Sequence, residues 1–238
     1  MEGNFNFGVL IYDEVEPIDL ATVGVLSIAR RFEPRIQYHT IAPKAGVVNM
    51  CNGLQVLAPY GIDDFKSGKL PKLHALVVTG GPGWRNQVKE PETLAFLRAI
   101  HEAGTEIVGI CTGAMVPAAA GLLDGKVATT RRTFLIERDA QGNAKQVEKN
   151  PPLTMKEDIR PQVGEVRERL VVDEGDIITG GGAALCIDMM FHLIATRVSP
   201  QVAQDLAELI EYDRAWKANR EALGEDVLAK GPRSWCPV

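Results

Sequence analysis

The sequence predicts an open, mostly parallel α/β sheet covered by helices on both faces. Two observations point there. Short apolar runs of strand length alternate with segments of helical spacing, and several of those runs pass directly into glycine-rich or small-residue turns, as strand-to-helix crossovers do. The third observation concerns size. The 238 residues contain no repeat, no low-complexity tract and no linker long enough to divide them, so they read as one domain over residues 1–238.

The apolar run at 7–12 (FGVLIY) reads as a buried strand. From Asp19 to Arg31, the residues Leu20, Val23, Leu26 and Ile28 have helical spacing. Residues 35–42 form a second strand, and Asn52-Gly53 within 46–59 predicts a hairpin. The strand at 75–79 (ALVVT) leads into Gly80-Gly81-Pro82-Gly83. A helix over 91–103 has Pro91 near its start and Gly104 at its end. The strand at 106–110 (EIVGI) ends at Cys111, and a short small-residue helix follows from Thr112 to Ala120. Residues 133–169 are polar and charged, broken by Pro151, Pro152 and Pro161, and read as an excursion lying over the main body. A strand at 176–179 resumes the pattern, and Gly180-Gly181-Gly182 opens an apolar helix running to Arg197. Ser199 caps the last long helix with Pro200 at its first position, and Val202, Leu206, Leu209 and Ile210 form its apolar face. The tail from Gly231 reads as loosely attached.

Composition bounds the function. Hydrophobic residues make up 45% and charged residues 24%, the profile of a globular chain that builds its core without staples. Mean hydropathy is −0.04, and no apolar run approaches the roughly 18 residues that span a bilayer, so no membrane partner is expected. The start of the chain lacks a basic stretch ahead of its apolar run, which argues against a signal peptide. A net charge of −5 and a pI of about 5.5, with no basic face, disfavour nucleic acid. Cys51, Cys111, Cys186 and Cys236 are scattered, with no CxxC or His-paired spacing. They predict neither a disulfide framework nor a metal site, and reduced thiols in a cytoplasm are the expectation.

In such a sheet, ligands bind outside the carboxyl ends of the strands, and three features fall there. Cys111 stands on a turn between a buried strand and a helix, the arrangement of a nucleophile elbow, with Gly113 and Ala114 making room. The helix N-terminus is expected to lower the thiol pKa; the alternative is a buried structural cysteine. Gly80 and Gly81, with the N–H of Thr112, suggest an oxyanion hole, against the alternative of a plain tight turn. Asp19 by itself reads as a helix N-cap. Only beside the thiol would its pKa rise enough for it to carry a proton, and Glu14 and Glu16 compete for that role. Cys186 reads as packing, Cys51 adjoins a turn and Cys236 lies in the tail. His39, His74, His101 and His192 read as structural.

The run GICTGAMVPAAAGLLDGKVATT, together with PIDLATVGVL, TGGPG at 79–83 and ITGGGAALCIDMMFHLI at 178–194, resembles the nucleophile-elbow region and its partners in the ThiJ/PfpI superfamily, relatives of the class I glutamine amidotransferases. Within it the pattern is most similar to isonitrile hydratases and to the ligand-binding halves of some AraC-type regulators. About 40 residues follow the last apolar helix of the match, which is short for a helix-turn-helix region. The resemblance implies a flavodoxin-like, doubly wound fold, usually a homodimer, with Cys111 as nucleophile, Asp19 as acid–base group, Thr112 beside them and Gly81 supplying a backbone N–H. It implies a hydratase converting small organic isonitriles to N-substituted formamides through a covalent thioimidate, with no cofactor and a small-molecule substrate. Alternatives are a cysteine amidase, a glyoxal-directed enzyme, or a non-catalytic binding or stress protein. Most relatives carry His after the ATT run, where this chain has Arg131-Arg132. Arginine stabilises a thiolate but does not take its proton, so a Cys–His dyad lacks its base, and the arginine pair suggests an anion site instead.

Overall fold

The computed structural model describes residues 3–133, 136–146, 148–228 and 235–236. In chain order the strands are β1 (Phe5–Leu10), β2 (Ile36–Ala42), β3 (Gly46–Asn49), β4 (Gln55–Ala58), β5 (Tyr60–Gly61), β6 (Ala75–Val78), β7 (Glu106–Ile110), β8 (Ile136–Arg138), β9 (Ala144–Gln146), β10 (Val171–Asp173), β11 (Ile177–Gly180) and β12 (Glu225–Val227). The helices that build the core and the site are α1 (Ala21–Ala29), α2 (Pro91–Glu102), α3 (Met115–Ala119), α4 (Leu185–Leu193), α5 (Pro200–Leu209) and α6 (Asp213–Leu223).

Eight strands form one sheet in the order β12-β10-β11-β7-β6-β1-β2-β5. From β5 to β11 neighbouring strands pair in parallel; β10 runs antiparallel to β11, and β12 follows β10. The succession β2-β1-β6-β7-β11 is the flavodoxin-like order, in which the chain reverses its direction of travel between β1 and β6. Every residue of β1, β6, β7 and β11 is buried, which is why these strands read as continuous apolar runs and not as alternating ones. The crossover through α1 steps one way along the sheet and that through α2 steps the other. Right-handed connections therefore place these helices on opposite faces. α4 and α5 join α1, and α3 joins α2.

The expected elements form, with shifts of one or two residues at their ends. The hairpin pairs β3 with β4 in antiparallel register, and both Asn52 and Gly53 take positive φ, at 60° and 86°. Ser199 accepts a hydrogen bond from the Val202 N–H at 3.4 Å and caps α5, but α5 is not the last long helix. α6 follows, anchored by Trp216, whose indole stacks on Phe191 at 4.9 Å between centroids. Of the tail expected to be loose, Trp235 docks instead, donating from Nε1 to Glu106 Oε1 at 2.9 Å and packing on Phe7. Apart from Trp235 and Cys236, that tail lies outside the described residues. The charged excursion carries the exposed hairpin β8–β9 and a helical turn over 151–159. It is tied to the body by the bridges Asp124–Val163 and Ala128–Val166.

At the amino edge of the sheet, remote from the site, lies a buried ionic cluster. Arg197 donates to Glu106 Oε2 at 2.9 Å and to both carboxylate oxygens of Asp173, and His192 hydrogen-bonds Asp173 at 3.0 Å. Burial pushes the Asp173 carboxyl up, but the hydrogen bonds from His192 and Arg197 outweigh it and hold the pKa at about 2. That stabilisation is full above pH 4 and is lost as pH falls toward 2. Removing the cation would leave the buried Asp173 and Glu106 carboxylates without the charge they share, so Arg197→Leu is expected to cost about 3–5 kcal/mol. The loss is read as a lower urea midpoint with an unchanged slope.

Candidate active site

The loops that leave the carboxyl ends of β1, β6, β7 and β11 converge. Cys111 follows β7 directly and takes φ of +53°, a left-handed conformation that a non-glycine side chain adopts at a cost and that recurs at functional turns. The turn presses against the end of β6. A Cβ at Gly113 would lie 2.3 Å from the Val78 carbonyl oxygen and 2.4 Å from that of Thr79, so only glycine fits. The Cys111 N–H donates to Gly181 O at 3.2 Å, and the Thr130 hydroxyl donates to the Cys111 carbonyl at 2.7 Å. The elbow is thus fixed from both sides.

Asp19 lies in a single 3₁₀ turn, Pro17–Leu20, ahead of α1, and it is fully buried. Its carboxylate does not cap α1; Oδ2 accepts the Gly80 N–H at 2.6 Å. Gly80 in turn lies against the elbow, where a Cβ would meet Cys111 Cβ at 2.8 Å and Thr112 N at 2.9 Å. The glycine loop therefore holds the carboxylate and the thiol together. Oδ1 of Asp19 is buried with no hydrogen-bond partner among the described residues. Cys111, Asp19, Thr112 and Gly81 all line one cavity of about 510 Å³, with Arg131 and Ala183. Of the competing acids, Glu16 reaches the cavity wall, whereas Glu14 is exposed and lies outside it.

The backbone donors differ from the expected oxyanion hole. The Gly80 N–H is taken by Asp19, and the Gly81 N–H donates to Thr112 Oγ1 at 3.0 Å. The Ala183 and Thr112 amides pull the Cys111 thiol pKa down. The Gly80 and Gly81 amides thus position side chains of the site.

The electrostatics reverse one expectation. Burial, reinforced by the charge of Asp19, pushes the Cys111 thiol up to about 11 against the opposing pull of the Ala183 and Thr112 amides and of Arg131. The helix behind the elbow is too short and too dry for its N-terminus to win. Burial also pushes the Asp19 carboxyl up to about 7, against the Gly80 N–H. Near neutral pH the thiol therefore keeps its proton, and the Asp19 carboxyl exchanges its own in the same range. Alkylation of Cys111 by iodoacetamide is expected to keep accelerating beyond pH 9.5, where a free cysteine of pKa about 8.5 has levelled off. The rate against pH, followed by intact mass, checks this.

Arg131 lines the cavity, but its guanidinium is held by Glu148, which also accepts from Arg85 at 3.0 Å. Arg132 is exposed and outside the cavity, so the two arginines do not form a joint anion site. Glu148 belongs to the charged excursion, and sequence reasoning missed it. It likewise missed Ala183, which takes φ of +53° and whose amide pulls the thiol pKa down; the glycine run after β11 is its only local sign. Cys186 is buried, and its thiol faces the Ile18 carbonyl at 3.5 Å. Among the described residues, no histidine lines the cavity. Among the described residues, no group of three or more His, Cys, Asp or Glu side chains is placed to hold a metal, and no helix is long and apolar enough to cross a membrane.

The sequence profile of the DJ-1/PfpI family matches residues 8–196. The chain belongs to the DJ-1/PfpI family. This DJ-1/PfpI chain is 28% identical over 207 residues to the isonitrile hydratase of Pseudomonas putida, covering 86% of this chain and 77% of that one. It is 30% identical over 190 residues to the HTH-type transcriptional regulator CdhR of Pseudomonas aeruginosa, covering 79% of this chain and 49% of the regulator. It therefore spans about half the length of such regulators. Among solved structures, a ThiJ/PfpI family protein from Pseudomonas syringae superposes with a TM-score of 0.70 at 21% identity, over 89% of this chain and 76% of that one. Drosophila melanogaster DJ-1beta superposes with a TM-score of 0.67 at 18% identity, over 87% and 98%. These likenesses establish the flavodoxin-like family fold.

Proposed function

We propose that this DJ-1/PfpI protein is a cysteine-dependent hydratase that converts small organic isonitriles to N-substituted formamides. The observation that carries the reading is the fully buried Asp19, held by the Gly80 N–H in the same cavity as Cys111, with one oxygen unpartnered. A carboxyl of pKa about 7 beside a thiol provides a group that both accepts and returns a proton near neutral pH, without a histidine.

In the first step the sulfur attacks the terminal isonitrile carbon. Its proton passes through Asp19 to that carbon, and the product is the thioimidate S–CH=N–R. In the second step Asp19 takes a proton from water as the oxygen adds to the same carbon. The nitrogen is protonated, the C–S bond breaks, and the sulfur recovers its proton as R–NH–CHO leaves. Splitting one hydration into two steps is the benefit of the covalent route. Thr112 Oγ1 accepts from Gly81, which leaves its O–H to orient the water. No resident cofactor enters this scheme. The reading carries with it the homodimer and the cytoplasmic setting that the family resemblance implies.

The test is intact mass spectrometry and product analysis after incubation with a panel of isonitriles. Expected are an adduct on Cys111 equal in mass to the isonitrile, and release of the matching formamide. Absence of formamide with every isonitrile would overturn the reading. A second reading, ligand binding without turnover, is favoured by the height of the thiol pKa, which leaves the sulfur largely protonated. It predicts a stable complex or adduct with no release of product.

A further inference from the structure

We propose that a second chamber beside the cysteine cavity receives the organic group of the substrate, and that the group it suits is a neutral aromatic ring. The inference rests on the isonitrile reading above. The chamber has a volume of about 420 Å³ and shares Trp84, Arg85, Thr112 and Glu148 with the cavity that holds Cys111. An isonitrile is linear through its carbon and nitrogen, so a molecule whose terminal carbon meets the sulfur projects its organic group away from it. Thr112, next to the nucleophile, lines both spaces, so the second chamber adjoins the point where that group emerges.

The lining sets the chemistry. Trp84 and Met115 are buried, and Val88 and Ile159 are half-buried, so the inner wall is apolar. The Arg85 guanidinium lies over the Trp84 ring at 5.0 Å from its centroid, so the indole meets an occupant with the rest of its surface. That aromatic surface and the Met115 thioether favour an aromatic occupant over a saturated one of similar area. At the rim Arg85 meets Glu148 at 3.0 Å and Lys149 meets Asp158 at 2.9 Å, and Lys89 stands exposed beside them. The inner wall of Trp84, Met115, Val88 and Ile159 is uncharged, so a group seated against it finds no counter-charge there, which selects for a neutral one. Glu148 and Ile159 both come from the charged excursion, which thereby supplies part of the chamber wall.

The test compares benzyl with methyl isocyanide in the wild-type protein and in Ile159→Trp, which fills the chamber; Val88→Phe replaces it should Ile159→Trp not fold by thermal melting. Filling is expected to raise KM for the benzyl compound at least about tenfold and to leave kcat/KM for the methyl compound within about twofold. Equal effects on both substrates, or none on either, overturn the proposal. Calorimetric binding of N-benzylformamide and N-methylformamide reads the chamber without turnover. If no isonitrile is hydrated, yet N-benzylformamide binds more tightly than N-methylformamide and loses that advantage in the filled variant, the chamber stands and the hydratase reading falls. If the two formamides bind alike, the chamber proposal falls whatever the turnover shows.

Discussion

Cys111→Ala is expected to abolish both the mass adduct and formamide release, lowering turnover by at least about 10⁴-fold, to the uncatalysed background. Cys111 is the only thiol among the described residues that line the cavity, and the Cys186 thiol lies outside it, buried against the Ile18 carbonyl. Cys186→Ala serves as the contrast and is expected to retain the adduct. A Cys111→Ala protein that still hydrates isonitriles at the wild-type rate would remove the thiol from the mechanism. The fold is expected to survive the change, because alanine fills nearly the same space and φ at this turn already carries the strain of a side chain.

Asp19→Asn has the second largest effect, and it acts in opposite directions on activity and on stability. Loss of the proton carrier is expected to lower kcat by about 10²–10⁴-fold. In the wild type, the attacking state has one proton on the Asp19–Cys111 pair, so kcat/KM is expected to rise through about pH 7 and fall near about 11. The asparagine variant loses the lower limb. Stability moves the other way. The native carboxyl keeps its proton to about pH 7, whereas the unfolded one loses it near 4, so the unfolded state gains relative to the native one as pH rises between these values. A shift of about three units corresponds to roughly 4 kcal/mol. Asparagine bears no such cost and still accepts from Gly80. Its melting temperature should therefore match the wild type near pH 4 and exceed it at pH 8. A constant difference between the two proteins across that range would show that Asp19 is not held protonated by burial.

Several parts of this site were legible in the chain. EIVGICTGA carries the elbow, because an apolar run of strand length ending at small residues leaves few other conformations. The TGGPG loop marks the close approach of β6 to the elbow for the same reason. Asp19 was legible only through its resemblance to relatives, since an acid ahead of a helix is ordinarily a cap. Glu148 was not legible at all. It meets Arg131 across 17 residues and Arg85 across 63, and no local pattern records such a pairing. The strands β10 and β12 have three residues each, too few for periodicity to register. α6 buries only Trp216 along its length, so its apolar signal is faint.

Taken alone, the order of apolar runs and small-residue turns determined the parallel sheet and the strand ends at which chemistry would be found, because backbone period and turn sterics are local properties. The tertiary structure decided that Asp19 reaches the thiol, that the loop amides hold side chains in place, and that the cysteine rests as a thiol and not as a thiolate. Those outcomes depend on how much water is excluded and on which charge faces which, and both are set by groups brought together from distant parts of the chain.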